Sequence, residues 1–499
     1  MEQLKLFDTS IDNYLVENFS ADNLCDEYER QNLEKKYAKF LKVTEKFNRQ
    51  SVSYQLSKRD SLHSWLKYKE GFSANLVNIL LDEMGAVAGD WIMDPFMGSG
   101  TTALVCQMRG INSIGYDVMP ISAVSIKAKA AVMKYDVNEI RCLIEDVSNL
   151  AIPEDYHTST PYVAITRDAY PRKNELFLAY IHEWNDQSEY SPEAKNLLTL
   201  CVINSLERCS YTTKSGQYLG WDCRSPKVQK ANKIRASKGQ KLLPEKYVRA
   251  KICDSKETIL NELNHVLADI ELIQKNEVYT SKTKIDFVSE SVLYELPLVR
   301  DNQLKGVITS PPYCNRYDYT RTYALELVYL GLGEEEIKEM RQGLLSCTVE
   351  NKSKIDDLRN YYSAIGQSNR FDYIYTVIKE NKIFAEVMTA LAKRKENGDL
   401  NNNGVIRMVE GYFTELAFIY AELYRVCKPG AMVAFVNDNV RYGGEVIPVD
   451  FLSSSFAEQF GFKIKTIYTL KQQKGNSSQQ MAKFGRVALR KGITVWIKE

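Results

Sequence analysis

The run DWIMDPFMGSGTTALVCQMRG at residues 90–110 constrains this chain more than any other stretch. Trp91, Ile92 and Met93 form a short apolar run of the kind that fills a buried strand, and the run stops at Asp94. The chain then turns through Gly98, Ser99 and Gly100 into a helical pattern opened by Thr101 and Thr102, and SIGYDV follows as a second strand. The segment therefore predicts a β-α-β unit. Glycines in such a turn let the backbone approach a ligand closely, and the helix N-terminus offers unpaired N–H groups. The second strand ends at Asp117, 23 residues beyond Asp94, where a carboxylate can accept hydrogen bonds from both hydroxyls of a ribose. This is the arrangement of a doubly wound sheet that holds a nucleotide at the carboxyl ends of its strands. A glycine turn read alone also fits a strand-to-helix connection with no ligand.

The flanking sequence extends the pattern into an α/β fold. Leu76, Ile79, Leu80 and Met84 recur at helical spacing after Ser73, an expected N-cap, and Gly85 closes that helix. Strand-like runs return at KIDFVSES and KGVITSPPY. A helix ending at ELYRVCKPG, the run AMVAFVND and the late strands FKIKTIYTL and ITVWIKE complete the alternation. We expect a Rossmann-like sheet with helices on both faces, interrupted by two mainly helical inserts. Residues 1–60 read as a helical N-terminal extension, with Leu33, Tyr37, Leu41 and Phe47 near one face. Core segments are expected at 61–140, 281–345 and 411–499, with a helical, basic insert at 141–280 and a polar, Asn- and Lys-rich insert at 346–410.

The whole chain carries a formal charge of only +1, so any nucleic-acid partner must be held by a local patch. Residues 214–251 supply one: eleven Lys or Arg face only Asp222 and Glu245. Lys214, Arg224, Lys227, Lys230, Lys233, Arg235 and Lys238 are the candidate phosphate contacts, interleaved with Tyr218, Trp221 and Tyr247. A solvated face of a helical lobe is the plainer account of the same charges. Hydrophobic residues at 44% and charged residues at 26% exclude a disordered, collagen-like or membrane-embedded chain. The opening MEQLKLFDTSID has no basic segment leading into an apolar one, and no apolar stretch reaches the roughly 18 residues of a membrane span, so a cytoplasmic protein is expected. Ten cysteines without a CxxC pair, beside four histidines, predict buried thiols and no metal.

The second informative motif is VITSPPY, where Val307 and Ile308 end a strand and Ser310, Pro311, Pro312 and Tyr313 form a stiff loop. Successive prolines fix the backbone and donate no N–H, which leaves their carbonyls free to accept. Ser310 adds a side-chain acceptor and Tyr313 a flat face, so the loop can grip an exocyclic amine while stacking on the ring that bears it. A structural Pro-Pro turn accounts equally well for the pentapeptide on its own.

Taken together, DPFMGSGTT and TSPPY resemble the cofactor and catalytic motifs of the S-adenosylmethionine-dependent amino-methyltransferases of DNA. YKEGFS at 68–73 is similar to the family's segment over the methionine end of the cofactor, and LYRVCKPGAMVAFVND to its later core. The resemblance covers residues 62–135, 283–340 and 411–499. It implies a class I methyltransferase sheet, S-adenosylmethionine as cofactor, and cofactor contacts from Asp94, Pro95, Phe96, Gly98, Gly100, Thr101, Asp117, Lys69 and Phe72. It further implies catalysis by Ser310, Pro311, Pro312 and Tyr313 on a base flipped out of double-stranded DNA. Ser at position 310 is the form the family associates chiefly with the N4 amine of cytosine, whereas adenine enzymes more often carry Asp or Asn. Target recognition in the family sits in one large insert, usually after the third core strand, whereas the basic insert here precedes KIDFVSES. A cognate restriction endonuclease or defence-system subunits are expected partners, with no membrane. Adenine-N6 methylation, methylation of a guanine amine in RNA, and a non-catalytic DNA-binding specificity partner stay open. Cys314 is read as structural, because the carbon-5 cytosine methylases carry Pro-Cys and here the cysteine follows Tyr. Arg316, Tyr317, Asp318, Tyr319 and Arg321 either line the base pocket or serve packing and local ion pairs.

Overall fold

The computed structural model describes residues 11–499 apart from positions 49, 54, 57–59, 70, 159–162, 216–217, 249–250, 277–282, 472–473, 476–480 and 486. Eight strands form the main sheet: β1 (Leu41–Thr44), β2 (Trp91–Asp94), β3 (Asn112–Tyr116), β4 (Ile285–Val288), β5 (Leu304–Thr309), β6 (Cys427–Asp438), β7 (Phe462–Leu470) and β8 (Lys491–Lys498). Their spatial order is β1-β7-β8-β6-β5-β2-β3-β4. β8 runs antiparallel to β7 and β6, and the remaining neighbours are parallel. The chain moves outward from β2 through β3 to β4, then crosses back to β5 on the other side of β2. A crevice opens at the carboxyl ends of strands where such a reversal occurs.

The N-terminal region departs from the expected helical extension. Its helix α1 (Tyr28–Tyr37) stops before Leu41, and Leu41–Thr44 pair in parallel with Ile467–Leu470 as an edge strand. The open side of β7 offers backbone partners that the sequence alone does not reveal, and β-branched Val43 and Thr44 suit a strand. Arg30 of α1 is wholly buried and bonds Glu386 at 2.8 Å and Glu445 at 2.9 Å, tying this region to the body of the protein.

Helix α2 (Ala74–Met84) has the predicted ends: Ser73 accepts from the Leu76 N–H, and Gly85 at φ +58° terminates it. Helices α3 (Thr101–Met108) and α4 (Pro120–Ala130) flank β3. The basic insert contributes α5 (Val137–Asn149), α6 (Arg172–Gln187), α7 (Pro192–Ser205), α8 (Pro226–Ser237) and α9 (Ser255–Lys275), with a hairpin of Thr212–Ser215 and Tyr218–Trp221 between α7 and α8. Ile140, Leu143, Leu198, Ile259 and Leu263 of this lobe pack in one buried cluster with Trp65, Leu104 and Tyr323 of the flanking core segments.

The region expected as a second insert is likewise built into the body of the protein. Its helices α10 (Ile355–Ala364), α11 (Ser368–Glu380) and α12 (Lys382–Glu396) bury Leu358, Phe371 and Leu391 in the same cluster as Leu416, Val433 and Trp496 of the main core. Helix α13 (Gly404–Val426) starts inside the expected insert. The polar composition masked apolar positions that fall on one face of each helix. Helix α14 (Val449–Gln459) completes that face of the sheet. Among the described residues no helix is long and apolar enough to cross a membrane.

Candidate active site

Met93 of β2 lies opposite Val307 of β5, so the glycine loop and the Ser-Pro-Pro-Tyr loop leave the sheet side by side. Asp94 fastens them together. Its Oδ1 accepts from Thr309 Oγ1 at 2.6 Å and from the Phe96 N–H at 3.1 Å, and its Oδ2 accepts from Thr102 Oγ1 at 2.7 Å. Burial raises this carboxyl to about 6. The side chain expected to touch the cofactor is therefore engaged inside the protein, holding the two loops in register.

A cavity opens between the loops, walled by Tyr68, Phe72, Gly98, Asp117, Ser310 and Tyr319 among others. Pro95, Phe96, Thr101 and Pro312 also reach it. Asp117 Oδ2 accepts from the Gly98 N–H and Oδ1 from the Met119 N–H, both at 2.8 Å, which fixes the carboxylate at the cavity wall. Burial pushes its pKa up to about 6. Gly98 adopts φ +52°, and a Cβ there would stand 3.0 Å from Tyr68 Cε1, so a side chain would intrude on both backbone and wall. Gly100 plays another part: its Cβ would meet Ile126 Cγ1 at 2.8 Å, which makes it a packing glycine between loop and α4.

The sequence of the chain matches the model of the N6/N4-type family described as DNA methylase over residues 14–124. It is 48% identical to the type II methyltransferase M.BsoBI of Geobacillus stearothermophilus over 97% of this chain and 95% of that protein. It is 36% identical to the type II methyltransferase M.AvaI of Nostoc sp. over 96% of this chain and 95% of that protein. A more distant relative, the type II methyltransferase M.MjaII of Methanocaldococcus jannaschii, is 26% identical over 53% of this chain and 62% of its own. The chain belongs to the DNA amino-methyltransferases. Enzymes of this family use S-adenosylmethionine. The donor set of the cavity fits that group, with a fixed carboxylate for a ribose, a side-chain-free approach at Gly98, and apolar Phe72, Phe96 and Val292 for a flat base.

One part of the methyltransferase cavity was missed in the sequence. Glu290, Ser291 and Val292 reach it from the end of β4. The signal was present, because KIDFVSES places a third carboxylate just past a strand, as Asp94 and Asp117 do, but no motif marked it. Gly343, Leu344 and Leu345, which also line the cavity, carry no local signature.

Other expected positions lie behind or away from the cavity. Lys69 is turned aside: its N–H donates to Tyr323 Oη at 2.7 Å, and its ammonium bonds the carbonyl of Lys214. Pro311 and Tyr313 stand beside the cavity, next to Ser310 and Pro312 that line it, with Tyr313 buried and its hydroxyl accepting from Ser310 Oγ at 3.1 Å. Cys314 is fully buried and its thiol is pushed up by burial, so it holds no thiolate. In the following segment Tyr319 alone lines the cavity, while Asp318 pairs with Arg321 at 3.2 Å and Arg341 at 3.1 Å. Arg316 donates to Asn401 at 2.9 Å.

The basic segment divides in two. Lys214, expected on phosphates, is buried against Glu326 in an ion pair and stands 4.3 Å from the centre of the Tyr323 ring. Arg224 is paired with Asp222 at 2.6 Å, and Lys227 donates to the Ala164 carbonyl at 3.0 Å while covering the Trp221 ring at 4.4 Å. Partners within the fold neutralise or cap all three, and of them Arg224 stays exposed. Lys230, Lys233 and Lys238 are exposed on α8 and just past it, as are Lys241 and Lys246 beyond. Arg235 is half-buried and donates to the Lys241 carbonyl at 2.6 Å, which folds the exposed loop back on the helix.

Proposed function

We propose that this methyltransferase modifies the N4 amine of cytosine, flipped from a specific duplex DNA site, as the protecting partner of a restriction endonuclease. The observation that carries the reading is the single cavity into which both Gly98 and Ser310 open. When bound, S-adenosylmethionine supplies an electrophilic methyl group on a sulfonium. Asp117 would hold the ribose hydroxyls, Glu290 an exocyclic amine of the adenine, and Phe72 and Phe96 the apolar faces.

The cytosine amine is a poor nucleophile because its lone pair is delocalised into the ring. Ser310 already donates its hydroxyl hydrogen to Tyr313, which leaves its lone pairs to accept one amine hydrogen. The Pro311 carbonyl accepts the other. Together they draw the nitrogen towards a tetrahedral geometry and free its lone pair, and Tyr313 offers the base a face. The nitrogen gives up one proton as it gains the methyl group, and that proton passes to solvent. Orientation in the pocket and fixed dipoles supply most of the acceleration, and flipping costs a few kcal/mol that DNA contacts repay. Those contacts fall to Lys230, Lys233 and Lys238. The hairpin that precedes α8 packs against Tyr319–Thr322 at the cavity wall, which supports a basic surface near the pocket mouth.

Mass spectrometry of nucleosides from plasmid propagated with the enzyme tests the proposal. N4-methylcytosine is expected. N6-methyladenine alone overturns the choice of base, and methyl transfer to transfer RNA but not to DNA overturns the choice of nucleic acid.

A further inference from the structure

The sheet places a second group of polar side chains beside the catalytic loop, on the side away from the cofactor cavity. Thr309 pairs with Phe435 across β5 and β6, so the end of β6 runs alongside Ser310–Tyr313. There Asp438 lies opposite Lys491, the first residue of β8, and the two form an ion pair at 3.3 Å. Lys491 Nζ also stands 5.1 Å from the centre of the Tyr313 ring. Next to them Asn439 is buried, 3% exposed, with its Oδ1 accepting from the Asp450 N–H at 3.1 Å. That bond fixes which end of the amide is which, and it leaves Nδ2 as a buried donor without a hydrogen-bond partner.

The neighbouring groups do not absorb the Asn439 amide N–H. Asn437 is turned to Tyr412 at 3.0 Å, and Tyr442 donates to the Cys314 carbonyl at 2.7 Å. Asp450 is bound to Arg490, itself paired with Glu34. Lys491 stands by the Tyr313 ring while paired with Asp438, and Asn439 follows Asp438 in the chain, so an ammonium and an unpartnered amide N–H lie beside the loop on which a base held at Ser310 would rest. A cytosine whose amine sits between Ser310 and the Pro311 carbonyl presents two acceptors on that edge, N3 and O2. Adenine held by its amine offers N1 but only a C–H where cytosine has O2, which would leave a buried donor unpaired.

We propose that Lys491 and Asn439 form a base-reading subsite that donates to the ring nitrogen and 2-carbonyl of the flipped pyrimidine, with Lys491 separating cytosine from adenine. The inference rests on the cytosine reading above and names the groups that enforce it.

The experiment uses the full-length enzyme and a duplex carrying its methylation site, located by sequencing of modified DNA. Cytosine or adenine is placed at the target position, each mispaired so that flipping is equally easy. Lys491→Met should lower methylation of cytosine at least 30-fold and leave adenine within about threefold of wild type, with S-adenosylmethionine binding retained; Lys491→Arg should recover part of the cytosine rate. A parallel loss on both bases, or no loss on either, overturns the proposal. A second measurement needs no variant: binding of wild-type enzyme to a duplex whose target is a 2-aminopyridine C-nucleotide, which keeps the amine and ring nitrogen but lacks the carbonyl. Affinity at least tenfold below that for cytosine is expected, and equal affinity overturns the subsite. A wild-type product of N6-methyladenine alone would refute the cytosine reading itself, and the product is identified before either comparison.

Discussion

Thr309 Oγ1 donates to Asp94 Oδ1 at 2.6 Å, a bond between residues 215 positions apart that locks the glycine loop to the Ser-Pro-Pro-Tyr loop. Asp94→Ala removes the acceptor for two hydroxyls and one N–H, all buried or nearly so. Leaving such donors unpaired costs about 1–3 kcal/mol each. We expect a loss of about 3 kcal/mol or more in urea unfolding, with turnover falling alongside it. Thr309→Val keeps the shape and deletes only the link between the loops. Its expected signature is a smaller stability loss, about 1–2 kcal/mol, with turnover down about tenfold. Turnover equal to wild type in that variant would show that the loops keep register without the bond.

The proposed roles divide binding and chemistry between Asp117 and Ser310. Asp117 sits at the cavity wall with its carboxylate oriented by Gly98 and Met119, so Asp117→Ala should weaken S-adenosylmethionine binding about 10- to 30-fold, or roughly 1.4–2 kcal/mol. Ser310→Ala should leave that affinity within about twofold while turnover falls about 10²- to 10³-fold, the loss expected when one preorganised polar contact to the reacting group goes. Calorimetry with the cofactor and single-turnover methyl transfer read the two effects separately. An equal loss of binding in both variants would contradict the division.

The α/β pattern was legible where local rules decide structure. Ser73 and Gly85 mark both ends of α2, and each core strand after β1 was visible as an apolar run. The rest depends on partners distant in sequence. The LKVT segment becomes a strand because β7 has an open edge. Lys214 counts as one positive charge in composition, yet its partner Glu326 lies 112 residues away and removes it from the surface. Asp94 looked like a ligand contact because its motif says where the loop is, whereas the donors that occupy it, Thr102 and Thr309, follow only from the packing of two strands. Glu290 went unnoticed although it stands just past a strand, as Asp117 does, because neither a glycine turn nor a proline pair follows it to mark the loop.

The two classes of basic residue lead to opposite expectations for DNA binding. Charge reversal at exposed Lys230 and Lys233 should weaken DNA binding and reduce the slope of log affinity against log salt by about one for each phosphate no longer neutralised. Lys214→Ala should leave that slope intact and lower stability instead, because it abandons Glu326 in a buried site. Fluorescence anisotropy at several salt concentrations distinguishes them. A slope unchanged in the Lys230 and Lys233 variant would remove α8 from the DNA interface.

Lys129 gives a pH-dependent prediction. It is fully buried behind the glycine loop, where its Nζ donates to the Ser99 carbonyl at 3.2 Å, and burial pulls its pKa down from an ordinary 10.5 to about 7. Its lowered value means that between about pH 7 and 10.5 the unfolded chain binds the proton more tightly than the native protein does. Stability from this residue is therefore complete above the unfolded value and declines as pH falls towards 7, by up to about 1.4 kcal/mol per pH unit. Lys129→Met removes the titrating group but leaves the Ser99 carbonyl bonded to Ser125 Oγ at 3.2 Å, so the loop keeps an anchor. Urea unfolding at pH 7, 8 and 9 should show the difference between wild type and variant moving in favour of wild type by about 1 kcal/mol per unit. A difference that stays constant across that range would mean that Lys129 keeps its proton in the native protein, held by a partner that the Ser99 carbonyl alone does not provide.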